Sequence, residues 1–281
     1  MKCLGSNQTK INTQPKNFEM NLSLENKRAV VCGSTQGIGK AIAVELALLG
    51  ASITLIARNE SALVEVVAEL NSNSDQQHDF LVADFSNPKD LKAKIDGYLT
   101  TGQTIDILVN NTGGPAGGPI IDADYEQFTN TMTAHLQCNH ILAQALVPGM
   151  KAKGFGRIIN IISTSVKQPI PGLGVSNTVR GAVASWSKTL SLELGEFGIT
   201  VNNVLPGFTN TARLDYIINN KAEKSGKSKS EIVAAMTPQT PAKRFGEPEE
   251  IAAMAAFLAT PSAAYVNGVS IPVDGGRTGS L

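Results

Sequence analysis

Cysteine and net charge are what this sequence has least of. Its 281 residues hold three cysteines, Cys3, Cys32 and Cys138, with no CxxC pair and no Cys/His ligand spacing. So odd and scattered a set excludes a disulfide framework and a cysteine-ligated metal site. It reads as the reduced thiols of a cytoplasmic protein. Lys+Arg and Asp+Glu are both 24, which removes any electrostatic reason to expect nucleic acid or an anionic membrane as partner. No apolar run approaches the ~20 residues of a membrane span. Residues 1–19 are polar and lack the apolar core of a signal peptide. Residues 1–20 read as a flexible arm, with a more typical start at Met20. Repeats and linkers are missing too, so 21–281 reads as one domain.

What is present is an ordinary globular composition, 42% hydrophobic and 17% charged, in which short apolar runs alternate with helix-period segments. "RAVVCG" (28–33) reads as a buried strand, followed by a helix that ends at Gly50, where glycine suits a left-handed cap. "SITLIA" (52–57), "DFLVAD" (79–84), "IDILVN" (105–110), "GRIINIIS" (156–163), "GITVNNVLP" (198–206) and "GVSIPV" (268–273) continue the strands. Runs rich in Val and Ile without polar alternation imply burial on both faces, as in a parallel sheet. The expected fold is α/β: one Rossmann-type, doubly wound parallel sheet of about seven strands with helices on both faces.

"GSTQGIG" places Gly33, Ser34, Gln36, Gly37, Ile38 and Gly39 between the first strand and its helix. Glycines there let the backbone approach a pyrophosphate, and a helix N-terminus supplies free N–H groups and a positive dipole end. A plain tight turn would share the three glycines; the position directly between strand and helix favours binding. At the end of the second strand, an NAD site carries Asp or Glu for the ribose 2′-OH. This chain has Ala57 and then Arg58. Loss of the carboxylate and gain of a guanidinium suit a 2′-phosphate, so NADP is favoured over NAD. A solvent-facing arginine at a helix start would look the same.

From about Leu22 onward the chain resembles the short-chain dehydrogenase/reductase family, in pattern nearest its 3-oxoacyl-acyl carrier protein reductase-like members. The matching pieces are "GSTQGIG", "ADF", "NNTGGP", "GRIINIIS", "NNVLPGFTNT", "RFGEPEEIAAMAAFLAT" and "NGVSIPVDGG", in the family's order. The resemblance implies that Asp84 binds the adenine, with Phe85 contributing its backbone. It implies that Asn110 steadies the central strand and that Pro206, Gly207 and Thr211 lie near the nicotinamide. It further implies a small carbonyl or alcohol substrate, a substrate-capping segment over 208–245, and a homotetramer or homodimer paired through helices at about 123–150 and 175–197.

The same resemblance exposes a departure. In the family a Ser polarises the substrate carbonyl, a Tyr gives the proton, a Lys tunes that Tyr, and an Asn anchors a water relay. Ser163 fits the first role. The Tyr position falls on Ser176, the Lys position on Arg180 one helical turn later, and the Asn position on His135. An aliphatic hydroxyl is a far weaker acid than a phenol, which titrates near 10. Arginine holds its charge and cannot be tuned as lysine can. Histidine, unperturbed, titrates close to neutrality, so a relay His135–water–Ser176 is open beside the plain reading of a packing histidine. Two functions follow: an NADP-dependent oxidoreductase with a rebuilt proton-donor site, or a cofactor-binding pseudoenzyme acting as scaffold or sensor.

Overall fold

The computed structural model describes residues 19–70 and 75–280. Residues 1–18 of the expected flexible arm, Cys3 among them, lie outside the described residues.

Seven parallel strands form one sheet in the order β3-β2-β1-β4-β5-β6-β7. They are β1 (Arg28–Cys32), β2 (Ser52–Ala57), β3 (Asp79–Val82), β4 (Ile107–Asn110), β5 (Gly156–Ile161), β6 (Ile199–Pro206) and β7 (Ser270–Val273). β1, β4 and β5 are buried along their whole length, which is why their apolar runs show no polar alternation. Successive side chains still part to opposite faces. Ala29 and Val31 join one core with Ile53, Leu55, Ile107 and Val109. Val30 and Cys32 join the other with Ile56, Leu108 and Ile158.

The first core is covered by α1 (Gly37–Leu48), α2 (Glu60–Glu69) and α9 (Pro248–Ala259). The second lies under α3 (Pro88–Leu99) and α5 (Cys138–Lys153). Local chemistry sets the helix ends. Asn59 and Asn87 accept hydrogen bonds from Ala62 and Asp90 N–H at the starts of α2 and α3, and Gly50, just past α1, has φ 102°. The long helix expected over 123–150 exists but is interrupted. α4 (Tyr125–Met132) runs through a π turn at Thr133–Gln137 into α5, and such turns insert a residue where a side chain must be re-aimed. α6 (Gly174–Leu194) is unbroken. The capping segment carries α7 (Ala212–Ser225) and α8 (Lys229–Met236), closed by a small core of Leu214, Ile218, Ile232 and Met236.

The sheet order reverses between β1 and β4. The crevice outside the carboxyl ends of those strands is where an open α/β sheet takes its ligand. Among the described residues no helix is long and apolar enough to cross a membrane, and no group of three His, Cys, Asp or Glu could hold a metal ion.

Candidate active site

Gly33 and Gly37, in the β1–α1 turn, have φ of 59° and 54°, the left-handed region where side chains are strained. Gly39 is required for closeness: a Cβ there would stand within van der Waals overlap of the Gly33 carbonyl. Gln36 precedes α1 with extended backbone and makes no side-chain cap, so the first N–H groups of α1 keep no side-chain partner. Ile38 packs its side chain on the first core. The Ser34 hydroxyl is buried with no hydrogen-bond partner among the described residues. A cradle of free N–H groups with an unsatisfied hydroxyl fits a pyrophosphate.

The other expected cofactor residues lie at or just past the carboxyl ends of the strands. Thr211 caps α7, accepting from Leu214 N–H at 3.4 Å, and its methyl lies against the Gly37 position. Pro206 ends β6, and a Cβ on Gly207 would come 2.7 Å from Asp274 Cα. Arg58 is exposed just past β2, and among the described residues it has no ion pair. The Asp84 carboxylate accepts from Ser86 N–H at 2.9 Å. That bond, with a smaller contribution from the Arg58 charge, holds its pKa below the ordinary value. Phe85 is buried, and its carbonyl accepts from the Cys138 thiol at 3.2 Å.

Asn110 begins a ladder that sequence reasoning did not see. Its Nδ2 donates to Asn160 Oδ1 at 2.9 Å, Asn160 Nδ2 donates to Asn203 Oδ1 at 3.0 Å, and Asn203 Nδ2 donates to Ser270 Oγ at 3.1 Å. The chain of amides links β4 to β7 beneath the crevice. Asn111 Nδ2 ties β4 to the glycine turn through the Gly33 carbonyl at 3.1 Å. The paired asparagines of "NNTGGP" and "NNVLP" were the available signal.

Ser163 lies two residues past β5, and its Oγ accepts from Ser165 N–H at 3.1 Å. Ser176 sits in the first turn of α6, half-buried, with no side-chain partner among the described residues. Arg180, one turn on, is 8% exposed and donates from Nη1 to the Ile161 carbonyl at 2.9 Å. The structure therefore ties the arginine to the strand end that carries Ser163. Burial, then repulsion from Arg213, brings its pKa down to about 10, so it stays cationic at neutral pH.

His135 lies inside the π turn, 3% exposed. Its Nδ1 is 2.5 Å from Thr112 Oγ1. Burial first, and then the Arg180 charge, push its pKa down to about 2, against a smaller opposite effect of the Gly113 backbone. The near-neutral titration expected of an unperturbed histidine is absent; the ring is neutral throughout the physiological range. Thr112 and Arg213 had no signal of their own in the sequence. The first sat inside a motif read for its asparagines, and the second just beyond "PGFTNT". Tyr216, in the cap, is 47% exposed, with the Arg213 guanidinium over its ring at 5.4 Å.

A glycine-rich turn at a sheet's switch point, beside a serine, a buried arginine and a lid of two helices, defines a dinucleotide-binding oxidoreductase of the doubly wound class. The family model described as Enoyl-(Acyl carrier protein) reductase matches residues 33–278. The 3-oxoacyl-acyl-carrier-protein reductase FabG of Vibrio cholerae is 32% identical over 255 residues, covering 91% of this chain and 98% of that protein. NADPH-dependent reductase BacG of Bacillus subtilis is 31% identical over 259 residues, covering 92% and 100%. Among solved structures, L-sorbose reductase from Gluconobacter frateurii, complexed with NADPH and L-sorbose, superposes with a TM-score of 0.87 at 32% identity, covering 93% and 100%. The chain belongs to the short-chain dehydrogenase/reductase family and is an oxidoreductase of that type.

Proposed function

We propose that the chain is an NADP-dependent oxidoreductase that moves a hydride between nicotinamide and a carbonyl or alcohol carbon, with a proton-donor site rebuilt from Ser163, Ser176, Arg180 and His135. The observation that carries this reading is Arg180, a buried guanidinium tied to the strand end that carries Ser163. A buried cation costs several kcal/mol to desolvate, and beside the strand end that carries Ser163 it supplies charge to an oxygen that develops there.

NADP suits the residues present. The N–H groups of the Gly33–Gly39 turn and the Ser34 hydroxyl would hold its pyrophosphate, Arg58 its 2′-phosphate, Asp84 and the Phe85 backbone its adenine. Asn110, Pro206, Gly207 and Thr211 would border the nicotinamide end. The reduced cofactor, when bound, supplies the hydride.

The chain's own groups then manage oxygen and proton. The Ser163 oxygen already accepts from Ser165 N–H, so its O–H is left to donate to a substrate carbonyl oxygen. The fixed Arg180 charge stabilises the alkoxide as it develops. The proton comes from the Ser176 hydroxyl, which has no other side-chain partner among the described residues. A neutral imidazole can accept at one nitrogen and donate at the other, so the His135–Thr112 pair passes a proton drawn from solvent back to that hydroxyl through water.

One observation favours the second reading, a cofactor-binding scaffold or sensor. Neither His135, near 2, nor Arg180, near 10, titrates around neutral pH, so the site has no acid matched to the working range. NADPH affinity and NADPH oxidation with a panel of ketones and 3-oxoacyl thioesters separate the two. The oxidoreductase reading expects turnover that falls at least 100-fold in Ser163→Ala with NADPH affinity kept. Tight NADPH binding without turnover of any substrate in the panel would establish the scaffold. Assembly as a homotetramer or homodimer through α4–α5 and α6, where Leu192 is 74% exposed, is checked by sedimentation; a monomer would count against it.

A further inference from the structure

Arg180 is not alone. Arg213, in the first turn of α7, donates from Nη2 to the Pro115 carbonyl at 2.5 Å, which draws the cap helix over the loop after β4. Among the described residues, neither arginine has an acidic partner within ion-pair distance. The two converge. A Cβ built on Gly114 would stand 3.7 Å from Arg213 Nη2 and 3.9 Å from Arg180 Nη2, with nothing else within 4 Å.

The missing side chain of Gly114 thus leaves room between two guanidinium groups. They repel one another, and that repulsion adds to the larger effect of burial in lowering the proton affinity of Arg180. Two cations facing one point, one of them buried and neither with an acidic partner among the described residues, favour an anion between them. Planar guanidinium forks match a carboxylate, which each can grip through paired N–H groups. The exposed cap lysines of "KAEKSGKSKSE" (221–231) cannot do this, because solvent screens them.

We propose that Arg180 and Arg213 form a clamp for a carboxylate of the substrate, so that the carbonyl compound reduced here is an oxo acid. That the bound acid is a substrate rests on the oxidoreductase reading; the clamp itself is a binding property and is tested without turnover. The probes are 3-phenylpropionate and its neutral isostere 3-phenylpropionamide. Both are titrated calorimetrically into the full-length chain, with and without saturating NADP+.

The expected result is that the carboxylate binds at least tenfold more tightly than the amide in the presence of NADP+. Arg213→Gln should abolish that preference, and Lys224→Gln, which removes a charge from the same cap without touching the clamp, should leave it. Equal affinities of acid and amide would overturn the proposal, as would a preference that survives in folded Arg213→Gln. A carboxylate preference that disappears when NADP+ saturates would also overturn it, by showing that the arginines serve the cofactor's phosphates. Arg213→Lys should restore part of the preference, because it returns charge without the fork; no rescue in a folded Arg213→Lys variant would count against a charge-based clamp. If the carboxylate preference holds while no ketone or oxo acid is turned over, the oxidoreductase reading fails and the clamp stands.

Discussion

Restoring the family's usual acid tests the proposed chemistry most directly. Ser176→Tyr with Arg180→Lys returns a phenol and a tunable amine to consecutive turns of α6. General acid catalysis is worth about 10²–10⁴-fold, and kcat/KM for a simple ketone should rise by at least the lower figure. The structural costs can be stated in advance. Ser176 is half-buried, and placing a ring where a hydroxymethyl packs costs about 1–3 kcal/mol. Replacing Arg180 removes the charged hydrogen bond to the Ile161 carbonyl, worth about 1.5–3 kcal/mol. The double variant should therefore be folded but less stable by a few kcal/mol, and urea unfolding and NADPH affinity come before kinetics. Each single change should give less than the pair, since a phenol beside Arg180 lacks the adjustable amine of the usual pair and an amine without an acid has nothing to tune. A folded double variant that binds NADPH and shows no gain would refute the placement of Ser176 and Arg180 at the proton-donor site.

Three further outcomes follow from particular residues. NADPH should bind about tenfold or more tightly than NADH, and Arg58→Ala should remove most of that preference, because a guanidinium–phosphate contact is charge-assisted; equal affinities in the unmutated chain would reject the role of Arg58. His135 is held neutral in the fold while an unfolded chain's histidine protonates near 6.5, so below that pH the unfolded state binds the extra proton and stability falls. The loss contributed by His135 is about 1 kcal/mol between pH 6.5 and 5.5, and His135→Gln should flatten that part of the urea-derived pH profile. Asn160→Ala leaves Asn110 Nδ2 and Asn203 Oδ1 buried without partners, at about 1–3 kcal/mol each; a drop in unfolding free energy below 1 kcal/mol would show that the ladder is not a tension member of the sheet.

Much of the architecture was legible because it depends on patterns that survive in one dimension. A strand buried on both faces reads as a near-continuous apolar run, and β1, β4 and β5 do so apart from Arg28, Asn110, Arg157 and Asn160. Glycine at positive φ announces itself in "GSTQGIG". Ser176 and Arg180, four residues apart, fall in one helix, α6, as their spacing required. The strand starts were less legible. Asp106 reads as part of a strand, yet its carboxylate is fully buried and occupied by Arg28 N–H at 3.0 Å and Lys153 Nζ at 2.8 Å, and the strand begins only at Ile107. The π turn was invisible, because one inserted residue hardly alters a helix-period pattern over "TAHLQ".

The site was hardest to read where its chemistry depends on surroundings. A histidine's sequence neighbours say nothing of burial, and burial with a nearby guanidinium takes His135 from near neutrality to about 2. The arginine pair escapes notice for a related reason. Arg180 and Arg213 are separated by β6 and its following loop, and a formal net charge of zero averages them against carboxylates that lie elsewhere. Charge balance counted along a chain excludes a field extending over the whole surface; it does not exclude a local one. A pair of cations, one of them buried, with no acid in ion-pair reach among the described residues, acts over a few ångströms, and the contact of α7 with the loop at Pro115 brings the two together. The overall neutrality that argued against a polyanionic partner is thus compatible with a small anionic one, held inside the crevice by two residues.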